Sequence, residues 1–124
     1  MIDTNIFLEI LLNQEKSEVC KTYLNESIGK ICMSDFSLHS IGVILFRNEK
    51  IDLYKAFIND VLPKVKLVTL QSKDYYKVAD IANQFNLDFD DAYQVAVAKS
   101  LNLSVSTMDN DFRRVDQFCN INFI

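Results

Sequence analysis

The sequence predicts one α/β domain, residues 1–124, with helices on both faces of a central, mostly parallel sheet. Three observations carry that prediction. Short apolar and β-branched runs alternate along the chain with stretches of helical period, so strands are separated by crossovers that bring them back in parallel. Gly is 2 and Pro is 1 among 124 residues, too few breakers for the many tight turns of a sandwich or barrel. Apolar residues make up 49% and charged residues 24%, the balance of a chain that buries a core without needing disulfides.

Met1-Ile2 reads as the stub of a strand ending at Asp3, and its shortness leaves open a start upstream of Met1. Thr4 to Leu12 reads as a helix, broken at Asn13-Gln14. Glu15 to Ser27 is amphipathic, with Val19, Tyr23, Cys20 and Leu24 on its apolar side. Ile31-Cys32-Met33 is a short buried strand. Asp35 to Arg47 is a strongly apolar helix, with Asp35 as its expected cap. Ile51 to Leu62 places Tyr54, Ile58 and Val61 on one face before Pro63 blocks continuation. Val65 to Leu70 is a strand. Ser72 is the expected N-cap of a helix running to Phe85. Asp88 opens a helix to about Leu101, apolar nearly all round from Ala92 to Ala98 and therefore central. Leu103 to Thr107 and Ile121 to Ile124 are the last strands.

Composition excludes several functions. Cys20, Cys32 and Cys119 form neither a disulfide framework nor a zinc pattern and point to a reducing compartment. Asp3 and Glu9 interrupt any signal-peptide pattern, and no apolar run approaches the roughly 20 residues of a membrane span. The expected location is cytoplasmic. Net charge is −4, which disfavours strong non-specific nucleic-acid binding but not an enzyme holding its substrate at an acidic metal site.

In an open parallel sheet, ligands bind outside the carboxyl ends of the strands. Asp3 ends the first strand and Asp109 follows the strand ending at Thr107. Little more than Asn102 joins the helix from Asp88 to that strand, so Asp91, in its first turn, belongs to the same edge. Each acid also has a plain reading. Asp3, Asp88 and Asp91 suit helix caps and dipoles, and Asp109 and Asp111 suit a turn around Asn110. Together, however, packed like charges destabilise a fold unless a cation neutralises them. Oxygen donors suit Mg²⁺ or Mn²⁺, ions that bind phosphate oxygens and activate water.

Asp3-Thr4-Asn5 after the first strand, Leu87-Asp88-Phe89-Asp90-Asp91-Ala92 opening an Ala-rich helix, and Ser106-Thr107-Met108-Asp109-Asn110-Asp111-Phe112 together resemble a PIN domain. The match is close to the nuclease subunits of VapBC-type toxin–antitoxin pairs, and it spans the chain in order and length. The resemblance implies a three-layer α/β/α fold with strand order 3-2-1-4-5. It implies Mg²⁺- or Mn²⁺-dependent endoribonuclease activity, an RNA substrate, a cognate antitoxin and a homodimer. By position, Asp3, Asp91 and Asp109 match the family's metal-binding acids and Asp111 a supporting acid. Asn5 and Thr107 match polar residues that hold the site.

One departure stands out. The family's usual helix glutamate falls at or next to Ser40, where no acid stands. His39 reads either as a substitute ligand or as a structural residue beside an apolar face. Lys99, Arg113 and Arg114 lie near the motif ends and read either as phosphate contacts or as an ordinary solvated face. The missing glutamate favours a second reading, a catalytically weakened PIN-like domain that binds RNA or a protein. The three retained aspartates oppose it, because buried acids without a metal are costly. A phospho-acceptor receiver domain would need a lysine after a late strand, where Met108-Asp109 stand instead.

Overall fold

The computed structural model describes residues 1–124. Helices α1 (Thr4–Leu11) and α2 (Ser17–Glu26) precede strand β1 (Cys32–Ser34), and α3 (Asp35–Arg47) and α4 (Ile51–Asp60) precede β2 (Lys66–Val68). Then come α5 (Tyr76–Phe85), α6 (Phe89–Leu101), β3 (Val105–Thr107) and β4 (Ile121–Phe123). β1 pairs with β2 and β3 with β4, both in parallel. The N-terminal stub lies between the pairs. Ile2 N donates to Cys32 O at 2.8 Å, Asp3 N to Ser106 O at 2.9 Å, and Ser106 N to Met1 O at 2.8 Å.

Alternation along these strands places helices on both faces, because successive side chains point to opposite sides. Met1, Cys32 and Val105 enter one core with Val78 and Ile81 of α5 and Val95 and Ala96 of α6. Ile2, Ile31 and Met33 enter the other, with Ile6 and Phe7 of α1, Ile41 and Leu45 of α3, and Phe57 of α4. The result is the α/β/α layering the sequence predicts. No helix is long and apolar enough to cross a membrane.

Several boundaries move for local reasons. α4 stops at Asp60, and Leu62–Lys64 form a 3₁₀ turn that Pro63, whose φ is fixed, can begin. Ser72 does not cap α5. It opens a separate 3₁₀ turn, Ser72–Asp74, and α5 starts at Tyr76. Ser34, not Asp35, caps α3, its hydroxyl accepting from Ser37 N at 3.0 Å. Asp35 instead accepts from the Tyr93 hydroxyl at 2.7 Å and the Thr69 hydroxyl at 2.8 Å, tying α3 to α6 and to the chain after β2. α5 and α6 end at Asn86 and Asn102, both with φ of 52°, a left-handed conformation that Asn tolerates and that stops a helix in one residue. The stop at Asn102 aims α6 back into β3 and leaves the beginning of α6 at the carboxyl edge of the sheet.

Candidate metal centre

Asp3 stands in the N-cap position of α1 but makes no side-chain cap. Its carboxylate turns inward, accepting from Gln94 Nε2 at 2.8 Å on Oδ1 and from Thr107 Oγ1 at 2.6 Å on Oδ2. Thr107 Oγ1 in turn accepts from Asp109 N at 2.9 Å, so one hydroxyl fixes the ends of two neighbouring strand segments. Asp3 is only 2% exposed. A carboxylate that forgoes an available cap and is buried instead needs a reason beyond helix capping.

That reason is a cleft of about 170 Å³ at the carboxyl edge, lined by Asp3, Asp88, Asp90, Asp91, Asp109 and Asp111. Asn5, Ser40 and Gln94 also line it. It borders a groove of about 640 Å³ beside α1, with which it shares Asn5, Leu8, Ile44 and Asp109. The plain readings of two acids hold as well. Asp88 Oδ1 accepts from Asp91 N at 3.2 Å and caps α6, and Asp109 Oδ1 accepts from Asp111 N at 2.8 Å in a turn. Capping and cleft membership are compatible, since each carboxylate has a second oxygen.

The charges are unbalanced. Burial first, then the charges of Asp88, Asp3, Asp109 and Asp90, push the Asp91 carboxyl up to about 7. Burial likewise raises Asp3, against the hydrogen bonds from Gln94 and Thr107, and the charge of Asp109 adds to the rise. Asp90 is raised by burial, then by its hydrogen bond with Asp88. A raised acid binds its proton more tightly folded than unfolded, so it favours the fold at low pH and loses that advantage as pH rises through the folded value. In chelator, the melting temperature is therefore expected to fall as pH goes from about 5 to 7.5, and Asp91→Asn to flatten that slope. Calorimetry across this range checks it, and a wild-type slope shared by the variant would contradict it.

The donor set fits a hard divalent cation. Every ionisable group in the cleft is a carboxylate, and Gln94 Oε1 is buried without a hydrogen-bond partner. No three of these side chains are closed around a single point, and hydrogen bonds engage oxygens of Asp3, Asp88 and Asp109. The fit rests on donor chemistry and uncompensated charge rather than on a finished cage.

The remaining predicted residues divide. Asn5, Thr107 and Ser40 are at the site, Ser40 on the α3 wall. His39 is not. It belongs to a shallow depression with Gly42, Phe46 and Tyr54, and its Nδ1 lies 2.7 Å from Asp35 O one turn back, so its role is local. Lys99 is in the last turn of α6, about 12 Å along the axis from Asp91. Its Nζ donates to Phe118 O at 2.7 Å and lies 4.5 Å from the centre of the Phe118 ring. Arg113 lies over Phe123 at 4.7 Å. Arg114 pairs with Asp111 at 2.9 Å and donates to Asn86 O at 2.6 Å, so it reaches the rim of the cleft through Asp111. Gln94 was not among the expected residues. Its signal was present: it is the polar residue of the otherwise apolar run around it, three positions after Asp91 and hence on the same helix face.

Comparison with known proteins agrees with this fold. A family model described as PIN domain matches residues 1–117. A toxin-antitoxin complex from Klebsiella pneumoniae superposes with TM-score 0.72 at 16% identity, covering 90% of this chain and 88% of that one. FitAB bound to an IR36 DNA fragment superposes with TM-score 0.73 at 21% identity, covering 99% and 92%. FitAcB from Neisseria gonorrhoeae gives 0.73 at 20%, covering 99% and 94%. At such identities the likeness is one of fold. A search of curated proteins returns no significant match.

Proposed function

This chain belongs to the PIN domain family, and we propose that it is a Mg²⁺- or Mn²⁺-dependent endoribonuclease, the toxin half of a toxin–antitoxin pair, working in the cytoplasm. The observation that carries this reading is the inward turn of Asp3. A buried carboxylate held by Gln94 and Thr107 faces Asp91, whose carboxyl is pushed up to about 7 by burial first and then by the neighbouring carboxylates.

In this reading Asp3, Asp91 and Asp109 hold the metal, with Asp111 in reserve. The bound ion supplies charge for a phosphate oxygen and the leaving oxygen, and a more acidic water. Gln94 and Thr107 fix the direction of Asp3. Asp88 holds the first turn of α6 and so the position of Asp91. The test is cleavage of single-stranded RNA in Mn²⁺ by wild type and Asp91→Asn. Equal rates would overturn the reading.

A second reading, a weakened domain that binds RNA or protein, is favoured by one observation: the α3 wall of the cleft presents Ser40 and no acid, at or next to the position where the resemblance places the family's usual glutamate. Ser40→Glu separates the two readings and is taken up below.

The partner reading draws on the surface and on the structural neighbours, two of them described as a toxin-antitoxin complex and a DNA-bound FitAB complex. A groove of about 370 Å³ between α1, α2 and the end of α4 is lined by Phe7, Ile10, Leu24, Ile28 and Val61. It suits an apolar segment of an antitoxin. On α3 and α4, Val43, Phe46 and Ile51 stay exposed, a patch suited to a second copy. Light scattering at micromolar concentration is expected to give a dimer, and Phe46→Glu a monomer. A wild-type monomer would contradict the homodimer.

A further inference from the structure

The first turn of α6 carries an aromatic side chain that the site described so far does not use. Phe89 is the first residue of α6 and stands between Asp88 and Asp90, both of which line the cleft. It is 56% exposed, yet it does not lack neighbours. Its ring stacks on Tyr93 with centroids 6.1 Å apart and planes 24° apart, and meets Phe36 edge-on at 6.0 Å. Tyr93 is itself fixed, its hydroxyl donating to Asp35 at 2.7 Å and accepting from Leu70 N at 3.2 Å. A single exposed apolar side chain is ordinary. This one is backed by an anchored stack and stands in the chain between two residues that line the cleft.

Distance and charge both bear on its use. Phe36 lies in the first turn of α3, two residues past the end of β1, and Asp3 directly follows the N-terminal stub that pairs with β1, neighbouring strands being about 5 Å apart. The stack and the acids therefore share one edge, within reach of adjacent nucleotides of one strand. Cations supply most nucleic-acid affinity, and this chain carries net charge −4. Near the cleft, Arg114 is paired with Asp111 and Arg113 lies over Phe123. Stacking needs no cation and accepts any base, since every base has a π-face. A base inside a duplex is already stacked and paired, so an aromatic face of this kind takes only an unpaired one.

We propose that Phe89, backed by Tyr93 and Phe36, is a positioning residue that stacks on an unpaired nucleobase next to the phosphodiester in the acid cleft. The proposal rests on the nuclease reading, and the two can fail separately. The sequence contains no Trp, so Phe89→Trp introduces a sole indole reporter. Mixing this variant with a short oligoadenylate in millimolar Mn²⁺, read before turnover, is expected to quench its fluorescence saturably, while a blunt RNA duplex is not. Phe89→Ala is expected to raise KM on the order of 10-fold with kcat nearly unchanged, and Phe89→Tyr to restore it. Absence of quenching by single strands, or an unmoved KM with Asp91-dependent cleavage intact, overturns the stacking role and leaves the nuclease. Quenching without Asp91-dependent cleavage keeps the stacking role and removes the enzyme. An emission shift driven by protein concentration and not by oligonucleotide would mark a protein contact and overturn the proposal.

Discussion

In EDTA at neutral pH, Asp91→Asn is expected to melt above the wild-type chain, and in Mn²⁺ at a hundredfold excess over the wild-type Kd below it. The crossing follows from one property of the site. Without a cation, Asp91 is held half-buried among Asp88, Asp3, Asp109 and Asp90, which raises it from 3.8 to about 7. Each unit is about 1.4 kcal/mol of destabilisation for the charged form. Discounted for solvent screening at a partly exposed group, the cost is about 1–2 kcal/mol, or roughly 5 °C in melting temperature. An amide of the same shape removes it. With a cation bound only to the folded state, the sign reverses. At hundredfold excess over Kd the wild type gains about 2.7 kcal/mol by mass action, more than the metal-free cost, and Asp91→Asn, having lost a ligand, gains much less. The same variant is expected to abolish RNA cleavage in Mn²⁺. Scanning calorimetry of both proteins in EDTA and in Mn²⁺ reads the crossing directly. Equal metal-dependent shifts in the two proteins would remove Asp91 from the site.

The parts of this picture legible in the sequence are those fixed by period and by chain reversal. Strand and helix alternation gives the layers, because Met1 and Ile2, or Cys32 and Met33, must face opposite sides of a sheet. The three-residue turn between α6 and β3, begun by Asn102, brings Asp91 to the edge that Asp3 and Asp109 occupy. Side-chain direction was less legible. Asp35 and Asp3 both looked like caps, and neither caps its helix. Ser34 has the shorter side chain and the N-cap backbone, while Asp35 is drawn to two hydroxyls that lie far off in sequence, on Tyr93 and Thr69. His39 and Lys99 were near motifs along the chain but not in space. His39 closes a hydrogen bond within α3, and Lys99 is carried to the far end of α6 by the helix rise. Gln94 was overlooked for the opposite reason: its apolar neighbours made the whole helix read as core, when one polar residue at the right spacing is what orients Asp3.

Ser40→Glu is expected to raise single-stranded RNA cleavage on the order of 10-fold or more, the usual scale for one well-placed charged partner at a metal or transition-state site. It is also expected to move the metal requirement from millimolar toward micromolar. Ser40 is on the face of α3 that lines the cleft with Asp3 and Asp91. Two-metal nucleases hold their ions roughly 4 Å apart and share several carboxylates between them. With hydrogen bonds already engaging oxygens of Asp3 and Asp109, and with Arg114 on Asp111, few ligands are left for a second ion. The wild type is therefore expected to be slow and to prefer Mn²⁺ over Mg²⁺, whose strict octahedral shell tolerates few protein ligands. A longer acid at Ser40 adds a donor from the opposite wall without entering the core. The same change has a measurable cost. In EDTA it adds a like charge to the cluster, so Ser40→Glu is expected to melt below wild type and to recover in Mn²⁺. Faster cleavage together with lower metal-free stability would identify Ser40 as a ligand position that this chain leaves unfilled. A variant that melts lower in EDTA but cleaves no faster would mean that the acid enters the cleft without completing a reactive site. If wild type also lacked Asp91-dependent cleavage at every metal concentration, the chain would be a PIN domain that binds and does not cut.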